Sequence, residues 1–365
     1  MQKKTWPNFS KNLISKVSKV IKSGKINYTT GPYGKKFEHE FSKYVGNKYS
    51  IVLSNGTAAL EVAIKSLNLP KNSEIIVPAR SFFASASCIV NTGYTPVFVD
   101  VDILTQNICL KDFEKKINKN TRAVICVHLG GLPCDMYGIK KIANKNKIKI
   151  IEDCSQAHGA SIDNKQVGSF GDVNTWSFCN DKIISTLGEG GMISTNNKKI
   201  YEFCKRFINH GSTKKIEKKS LEKFIYNKDH FGTNLRITEI QSVAGLDQLK
   251  NLRKIQIYRD KIAKNYFNLI SKYQNYFNTY YPPREIKSAW YRFYFFFKKN
   301  SKHNQKIRNR IIQNLKKNNL KCFTGSCPEI YLEKSFRKLK GFKQKRLKNC
   351  KILGETSIAL ELDHT

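Results

Sequence analysis

The sequence predicts an α/β protein with a mostly parallel central sheet, helices on both faces of that sheet, and a smaller α+β domain at the C-terminal end. From Tyr49 onward, short apolar segments alternate with helix-like segments, which is typical of a parallel sheet. A chain of 365 residues also suggests about two domains. Because the composition shifts to Lys and Arg over Asn251–Arg259, we expect one domain at residues 1–250 and a second at 251–365.

The elements of the first domain follow from local patterns. Leu13, Val17, Val20 and Ile21 recur at helical spacing and predict an amphipathic helix, and after a turn-rich loop a second helix is expected over Phe37–Tyr44. Apolar segments then predict the strands Ser50–Leu53, Glu74–Val77, Pro96–Asp100, Arg122–His128, Lys147–Glu152, Val173–Phe178 and Met192–Thr195. Between these strands, helices are predicted at Ala58–Leu67, Phe82–Val90 and Asp135–Asn144.

The remaining elements connect the sheet to the C-terminal domain. We expect a lysine-rich loop over Lys214–Lys228 and a long helix that begins near Thr238. The start and apolar face of that helix are set by Thr238, Ile240, Ala244, Leu246 and Leu249. The C-terminal domain is expected to contain an aromatic strand, a basic helix and a loop, over Trp290–Phe297, Lys306–Lys317 and Thr324–Tyr331.

The charge of the chain suggests one function besides catalysis. With 65 Lys and Arg against 28 Asp and Glu, the net charge of +37 would attract polyanions of any kind. The basic residues are spread along the chain, without the compact stripe or the fold motif of a nucleic-acid-binding module. We therefore interpret most of them as solvated surface, and polyanion binding stays an alternative.

Composition also bears on the cellular compartment. The ten cysteines include no CxxC pair and the histidines follow no zinc-binding pattern, so we expect free thiols, no metal site and a reducing environment. The N-terminus has no apolar segment of the kind that a signal peptide needs. The aromatic run Trp290–Phe297 is interrupted by Arg292 and is too short to span a bilayer. A soluble cytoplasmic protein is expected.

Two stretches carry chemically active side chains. Lys182 lies between the apolar segment Val173–Phe178 and a glycine-rich turn, where its amine can face a cleft and form an imine. The apolar run that begins at Lys147 ends in Glu152-Asp153, which puts a carboxylate at the strand edge where open α/β sheets hold ligands. Pyridoxal phosphate needs this combination, because the lysine binds the cofactor aldehyde and the acid keeps the pyridine nitrogen protonated.

Other candidate residues have more than one interpretation. Gly56 and Thr57 open a helix whose backbone N–H groups can bind a phosphate, although SNGT is also an ordinary helix cap. Gln156 is equally compatible with a ligand contact and with a hydrogen bond in the core. His128 and His158 follow apolar strands, and we interpret them as structural histidines with satisfied hydrogen bonds rather than as catalysts.

Four motifs in one order, SNGTAAL, EDCSQAHGA, SFCNDKIISTLGEGG and GTNLRITEIQ, resemble the DegT/StrS-type (DegT/DnrJ/StrS) sugar aminotransferases, which depend on pyridoxal 5'-phosphate. The resemblance runs from about Lys22 to Thr365 and is densest between Tyr49 and Leu249. It implies the PLP-dependent transferase fold type I, with residues 1–250 as the large cofactor-binding domain. It also implies transfer of an amino group from L-glutamate to a nucleotide-linked keto-deoxysugar by a ping-pong mechanism, in amino-sugar and cell-surface polysaccharide (lipopolysaccharide, O-antigen) biosynthesis.

The resemblance assigns a role to each matching residue. Lys182 resembles the Schiff-base lysine, and Asp153 resembles the carboxylate paired with the pyridine nitrogen. Phe82, which on a helix alone reads as a core residue, takes the place of the aromatic that stacks on the cofactor ring. Gln156 resembles the side chain that contacts the ring hydroxyl. The phosphate ligands correspond to Gly56, Thr57 and Ser177. Asn234 corresponds to a phosphate ligand that the neighbouring subunit of a homodimer lends.

The chain also departs from the family pattern. Arg80 stands where the family often has an aromatic or small residue, and Leu187 replaces the usual glycine or threonine before GEGG. Relatives usually continue past His364-Thr365 through another helix. Some relatives carry histidine in place of the lysine and act as dehydratases, a second alternative function, against which Lys182 argues.

Overall fold

The computed structural model describes residues 6–212, 228, 230–298 and 303–362. Its strands are β1 (Tyr49–Leu53), β2 (Glu74–Pro78), β3 (Thr95–Val99), β4 (Thr121–Val127), β5 (Lys149–Asp153), β6 (Ser161–Ile162), β7 (Lys165–Gln166), β8 (Val173–Ser177), β9 (Gly191–Thr195), β10 (Phe277–Thr279), β11 (Ile286–Lys287), β12 (Arg292–Phe297), β13 (Cys322–Phe323) and β14 (Ser357–Glu361).

The helices are α1 (Lys11–Lys22), α2 (Tyr33–Val45), α3 (Gly56–Ser66), α4 (Ala84–Asn91), α5 (Leu110–Lys115), α6 (Met136–Lys145), α7 (Lys198–Phe207), α8 (Glu239–Ser271), α9 (Asn304–Lys317), α10 (Lys334–Arg337) and α11 (Lys348–Thr356). Two single 3₁₀ turns lie at Leu129–Gly131 and Ile330–Leu332. No helix within the described ranges is both long and apolar enough to cross a membrane.

Seven strands form the central sheet in the order β1-β9-β8-β5-β4-β2-β3. The neighbours from β8 to β3 are parallel, whereas β9 is antiparallel to both β8 and β1. Strands such as β4 are apolar on both faces because helices cover both sides of the sheet. The predicted α/β class with a mostly parallel sheet is confirmed.

Helix α8 begins where the sequence predicts. Thr238 caps it: the Thr238 hydroxyl accepts from the N–H of Gln241, and the Gln241 side chain accepts from the N–H of Thr238, which completes a capping box. The helix then continues unbroken to Ser271. The predicted boundary between residues 250 and 251 therefore lies inside a helix, and the division into two domains stays a prediction.

A second sheet lies in the C-terminal part of the chain. Its strands β10, β12, β14 and β13 are antiparallel neighbours in that order. Phe293 and Phe295 of β12 are buried with Ile358 of β14 and Ile312 of α9. This arrangement agrees with the predicted aromatic strand, basic helix and α+β character of this region. A third, small sheet has the order β11-β6-β7.

Three expectations differ from the structure or lie outside it. The predicted helix Phe82–Val90 begins at Ala84, because Ser81 donates its N–H to Cys327 O at 3.2 Å and keeps the chain extended before the helix. Ile21 is 53% exposed, since α1 packs on α8 through Leu13 and Val20. The predicted loop Lys214–Lys228 lies, apart from Lys228, outside the described residues.

The sheet topology brings the ends of several strands to one edge. The parallel strands β2, β4, β5 and β8 end at Pro78, Val127, Asp153 and Ser177. In parallel pairing the carboxyl ends of neighbouring strands lie side by side, and Val127 is in register with Asp153. Side chains that follow these strands therefore meet at this edge, which is where α/β proteins hold ligands.

Candidate active site

A cavity of about 890 Å³ opens at the carboxyl edge of the sheet. Both the main sheet and the C-terminal sheet contribute to its walls. Seven of the eight residues that the sequence nominates line it, namely Gly56, Thr57, Phe82, Asp153, Gln156, Ser177 and Lys182. Residues separated by up to 126 positions in the chain are thus brought into one site.

Lys182 lies five residues after the end of β8, and its side chain is 14% exposed. Its Nζ is 3.7 Å from a carboxylate oxygen of Asp181 and 4.9 Å from the ring centre of Tyr291. The indole N–H of Trp6 donates to the backbone carbonyl of Lys182 at 2.9 Å. The amine therefore faces the cavity while its backbone is held from the N-terminal segment.

Asp181 is fixed by more than its neighbouring lysine. The Tyr291 hydroxyl donates to it, and the guanidinium of Arg292 lies 4.0 Å away. Burial alone would raise the pKa of Asp181, but Lys182, Tyr291 and Arg292 together hold that pKa below its ordinary value. Burial raises the pKa of Tyr291. Asp181 is thus an ionised carboxylate beside the Lys182 amine.

Asp153 ends strand β5 and is 5% exposed. One carboxylate oxygen accepts a hydrogen bond from the Ser85 hydroxyl at 2.9 Å, and the other accepts from the N–H of Ser155 at 3.2 Å. The Ser85 oxygen is also 2.9 Å from the hydroxyl of Ser81. These contacts orient the carboxylate at the cavity, where it can bind a protonated ring nitrogen.

The adjacent carboxylate, Glu152, lies on the opposite side of the strand and is completely buried. It accepts from the N–H groups of Gly168, Phe170 and Gly171 at 2.7–2.8 Å, and its contact with His128 Nε2 is 3.1 Å. Burial would raise the pKa of Glu152, but the bonds from His128 and the backbone lower it. With Cys154, Glu152 and His128 form a cluster that could hold a metal by ligand type, but its polar atoms already hydrogen-bond to one another and to backbone.

The N-terminus of α3 and the end of β8 form a close backbone cradle. Asn55 caps α3 by accepting from the N–H of Ala58 at 2.8 Å. A Cβ on Gly56 would lie only 2.5 Å from the Cβ of Ser177, so glycine is needed for this approach. Thr57 is exposed at the first turn. Backbone N–H groups and two hydroxyls thus face the cavity where a helix N-terminus favours an anion.

The two remaining nominated residues of the cavity differ in exposure. Phe82 is 64% exposed and presents its ring at the cavity, which does not fit the interpretation of Phe82 as a core residue. Gln156 is buried, and its side-chain oxygen accepts from the N–H of Gly130 at 2.7 Å. That bond leaves the amide nitrogen of Gln156 as the group available to a ligand.

Asn234 does not line the cavity of its own chain. It is exposed and its side-chain oxygen accepts from the N–H of Arg236 at 3.3 Å, while the next residue, Leu235, does line the cavity. The placement of Asn234 outside this cavity leaves its predicted role across a subunit interface as a prediction.

The two histidines that the sequence marks as structural behave differently. His128 is satisfied, because its Nδ1 accepts from the N–H of Cys134 at 3.0 Å and its Nε2 meets Glu152. His158 is also fully buried, but neither of its ring nitrogens has a hydrogen-bond partner among the described residues. The expectation of satisfied hydrogen bonds was therefore wrong for His158, which instead packs against Trp176 and Phe178.

Sequence reasoning missed several residues of the site. The sequence does not point to Asp181, Tyr291, Arg292 or Ser85. Asp181 and Tyr291 lie next to the Lys182 amine, Arg292 lies next to Asp181, and Ser85 orients Asp153. A signal was present for Arg292, because it interrupts an otherwise aromatic strand. Leu187, the other noted departure, has a φ of +64°, a conformation that favours glycine and explains why glycine is usual there.

A lysine and a buried carboxylate that share a cavity at the carboxyl edge of an α/β sheet are the arrangement of a pyridoxal phosphate-dependent enzyme. Residues 7–365 match the model of the DegT/DnrJ/EryC1/StrS aminotransferase family. The chain belongs to this family, and the protein is an aminotransferase.

Three known proteins illustrate the similarity. GDP-perosamine synthase of Escherichia coli O157:H7 is 38% identical over 259 residues, which are 69% of this chain and 68% of that protein. The crystal structure of an aminotransferase from Psychrobacter cryohalolentis has a TM-score of 0.93 and 37% identity, covering 99% of this chain and 93% of that one. The E. coli GDP-4-keto-6-deoxy-D-mannose-3-dehydratase with bound hydrated PLP has a TM-score of 0.88 and 26% identity, covering 98% and 94%.

The residues present fit pyridoxal phosphate. The Gly56–Ser177 approach forms the kind of backbone cradle that a phosphate requires, and a side chain on residue 56 would fill it. Asp153 is a buried carboxylate whose oxygens each hold one donor, so they retain acceptor capacity for a protonated ring nitrogen. Lys182 offers a primary amine in the same cavity.

Proposed function

We propose that this aminotransferase uses pyridoxal 5'-phosphate to transfer an amino group from L-glutamate to a nucleotide-linked keto-deoxysugar. The observation that carries the proposal is the presence of Lys182, Asp153 and Phe82 in one cavity with the Gly56–Ser177 cradle. The relative named GDP-perosamine synthase supports a sugar nucleotide as the amino acceptor. The cavity volume of about 890 Å³ is large enough to hold a cofactor together with part of such a substrate.

Lys182 has two tasks in the proposed reaction. Its Nζ would hold the cofactor aldehyde, and as a primary amine in the same cavity it would also be the base that takes a proton from the donor's Cα. The ionised Asp181 at 3.7 Å stabilises the proton on Lys182 until it is returned. Trp6, through its bond to the Lys182 carbonyl, keeps the backbone of this residue in place.

Asp153 and its partners hold the other end of the cofactor ring. When bound, pyridoxal phosphate supplies an electron sink for the bond that breaks at the donor carbon. Asp153 keeps the ring nitrogen protonated, and Ser85 and the N–H of Ser155 keep the carboxylate in place. Phe82 would cover the ring, and the amide nitrogen of Gln156 would reach its hydroxyl. Gly56, Thr57 and Ser177 would bind the phosphate.

The proposed active unit is a homodimer with shared sites. Asn234 matches the residue that lends a phosphate contact across the interface in the family, and it lies outside the cavity of its own chain. Phe231, three residues earlier, is fully exposed, as an apolar side chain at a subunit interface would be in a single chain. The ten cysteines are all unpaired, which supports a place in the reducing cytoplasm.

A dehydratase of the same fold is the second candidate, because one of the similar structures is a sugar 3-dehydratase. The two functions differ in their use of the lysine. Incubation with L-glutamate alone should convert the bound cofactor to its amine form and release 2-oxoglutarate. Conversion followed by amination of a keto-sugar defines an aminotransferase, whereas loss of a sugar hydroxyl without a stable amino product defines a dehydratase.

Two measurements test the proposal directly. Borohydride reduction of the purified protein followed by peptide mapping should place the cofactor label on Lys182, and a label on another lysine would contradict the assignment. A panel of nucleotide-linked 3- and 4-keto-6-deoxy sugars, with L-glutamate as donor, should contain at least one acceptor. A labelled protein that aminates none of them would retain the cofactor assignment but not the substrate class.

A further inference from the structure

Arg80 is a buried cation that the proposed reaction leaves without a role. It follows strand β2, and its side chain is 1% exposed. Its Nε donates to Gln106 Oε1 at 2.9 Å and its Nη2 donates to Ser357 Oγ at 2.9 Å, while Nη1 lies 3.4 Å from Ser326 O. The guanidinium is thus held by three separate segments of the chain.

None of these partners is negatively charged. The remaining close group is the ring of Tyr294, whose centre is 5.7 Å from the guanidinium carbon. Among the described residues no carboxylate forms an ion pair with Arg80, and burial lowers its pKa. A buried charge without a counter-charge costs free energy, so a protein retains one where the charge serves a purpose or pairs with a ligand.

The guanidinium lies directly behind one wall of the cavity. A Cβ on Gly325 would be 2.7 Å from Arg80 Nη2 and 2.8 Å from the Tyr294 ring, so Gly325 packs flat against both groups. Gly325 has a φ of +101°, which a residue with a side chain rarely adopts. Tyr294, Gly325, Ser326 and Cys327 all line the cavity, and we name this surface the Arg80 wall.

Hydrogen bonds fix the Arg80 wall against the end of β2. Besides the bond from Ser81 to the carbonyl of Cys327, the N–H of Ile330 donates to Ala79 O at 2.9 Å. Ser357 accepts from Arg80 and donates to Thr324 O at 2.8 Å. The wall therefore keeps its position relative to the guanidinium. The wall itself contains no carboxylate; those that line the cavity elsewhere are Glu61, Asp153, Asp181 and Glu189.

We propose that the Arg80 wall is a subsite for an oxyanion of the substrate, and that Arg80 is the positioning residue that shapes the wall and supplies its positive charge. This inference rests on the proposed function. The oxyanion is either the diphosphate of the nucleotide-linked sugar or a carboxylate of the amino donor, since both substrates use the same cavity. Arg80 acts through the wall, because its own atoms are excluded from the cavity surface.

The test compares three variants as holoenzymes. Arg80→Met removes the charge at similar length, Arg80→Lys keeps it, and Arg259→Met removes a second buried arginine, which donates to Trp290 O at 2.8 Å and does not line the cavity. One arm measures the Kd of UDP, of GDP and of dTDP by calorimetry. The other measures the L-glutamate concentration at which the donor half-reaction, followed by cofactor absorbance, reaches half its maximal rate.

Arg80→Met should weaken one arm by about tenfold, the order expected for a unit charge about 10 Å from another in a protein environment. The maximal rate of the half-reaction should change much less, because Lys182 and Asp153 are untouched. Arg80→Lys should recover most of the affinity, and Arg259→Met should bind like the wild type. The arm that weakens identifies the oxyanion as a diphosphate or a carboxylate.

Unchanged affinity in both arms for Arg80→Met would overturn the proposal, as would an Arg80→Lys protein that binds as weakly as Arg80→Met. If Arg80→Met does not fold, Arg80→Gln, which retains a donor for Gln106, replaces it in the same comparison. A wild-type protein that binds none of the three nucleoside diphosphates would contradict the proposed sugar-nucleotide substrate. In that case the glutamate arm still decides the role of Arg80.

Discussion

Replacing His158 by phenylalanine should make the folded protein less sensitive to acid. His158 is completely buried, its ring centre lies 5.4 Å from that of Trp176 and 5.5 Å from that of Phe178, and its nitrogens have no hydrogen-bond partner among the described residues. Burial, together with the positive charge of Lys182, lowers the pKa of His158 from 6.5 to about 3. The folded protein therefore keeps this histidine neutral over a wide pH range.

The sign and size of the effect follow from this difference. In the unfolded chain His158 is protonated below its pKa of 6.5, whereas in the folded chain it becomes protonated only near pH 3. Above pH 6.5 His158 is neutral in both states and does not lower the free energy of unfolding. As the pH falls from 6.5 toward 3, protonation of the unfolded chain progressively lowers that free energy. Each unit corresponds to about 1.4 kcal/mol, so at pH 5 the loss from His158 is about 2 kcal/mol.

Urea unfolding at pH 7 and pH 5, at one protein concentration, measures this loss. The free energy of unfolding of His158→Phe should fall between the two pH values by about 2 kcal/mol less than that of the wild type. His39→Gln, a change at an exposed histidine on α2, is the matched control and should follow the wild type. An equal loss in all three proteins would refute the reasoning about His158.

Three further predictions concern the site. Asp153→Asn should retain cofactor but lower kcat by about 10³-fold with little change in the KM for glutamate, because a buried charge contact of about 4 kcal/mol is lost. Stopped-flow absorbance of the donor half-reaction measures this rate, and near-normal turnover would exclude Asp153 as the ring partner. Inactive Lys182→Ala and Asn234→Ala chains, when mixed, should regain part of the activity, because one site of the heterodimer carries neither change; verified heterodimers without activity would argue against shared sites. In a salt titration, nucleic-acid binding driven by the net charge of +37 should disappear at moderate salt while glutamate-dependent amination persists. Sequence-specific binding that survives high salt, in a protein that shows no amination, would favour the polyanion-binding alternative.

The strands of the central sheet could be predicted to within a residue or two. Their apolar, β-branched runs are local signals, and the strand predicted at Glu74–Val77 is observed at Glu74–Pro78. The placement of Lys182 and of the pair Glu152-Asp153 at one edge of the sheet also follows from local context, because each comes at or just after a strand end and parallel strands share an edge. Helix starts also depend on tertiary contacts. The helix predicted to begin at Phe82 begins at Ala84, because the N–H of Ser81 bonds to Cys327 O.

The cavity wall from the C-terminal sheet could not be predicted. Tyr291 and Arg292 lie more than 100 residues after Lys182 in the chain, and the sequence shows only that they belong to an aromatic strand. Their approach to Asp181 depends on how the two sheets pack, which local patterns do not encode. Arg80 could be recognised as a departure from the family pattern, but its partners Gln106, Ser326 and Ser357 come from three distant segments.

The pair Glu152-Asp153 shows where sequence reasoning ends and structure becomes necessary. Successive side chains of a strand point to opposite faces, so two adjacent carboxylates at a strand end must have different environments. The sequence does not tell which face carries the cavity, and only the resemblance selected Asp153. In the structure Glu152 binds His128 and three backbone N–H groups in the interior, whereas Asp153 receives the Ser85 hydroxyl at the cavity. Each Glu152 oxygen already meets two partners, whereas each Asp153 oxygen accepts from one donor, so Asp153 is the carboxylate of the pair with acceptor capacity left for a ligand.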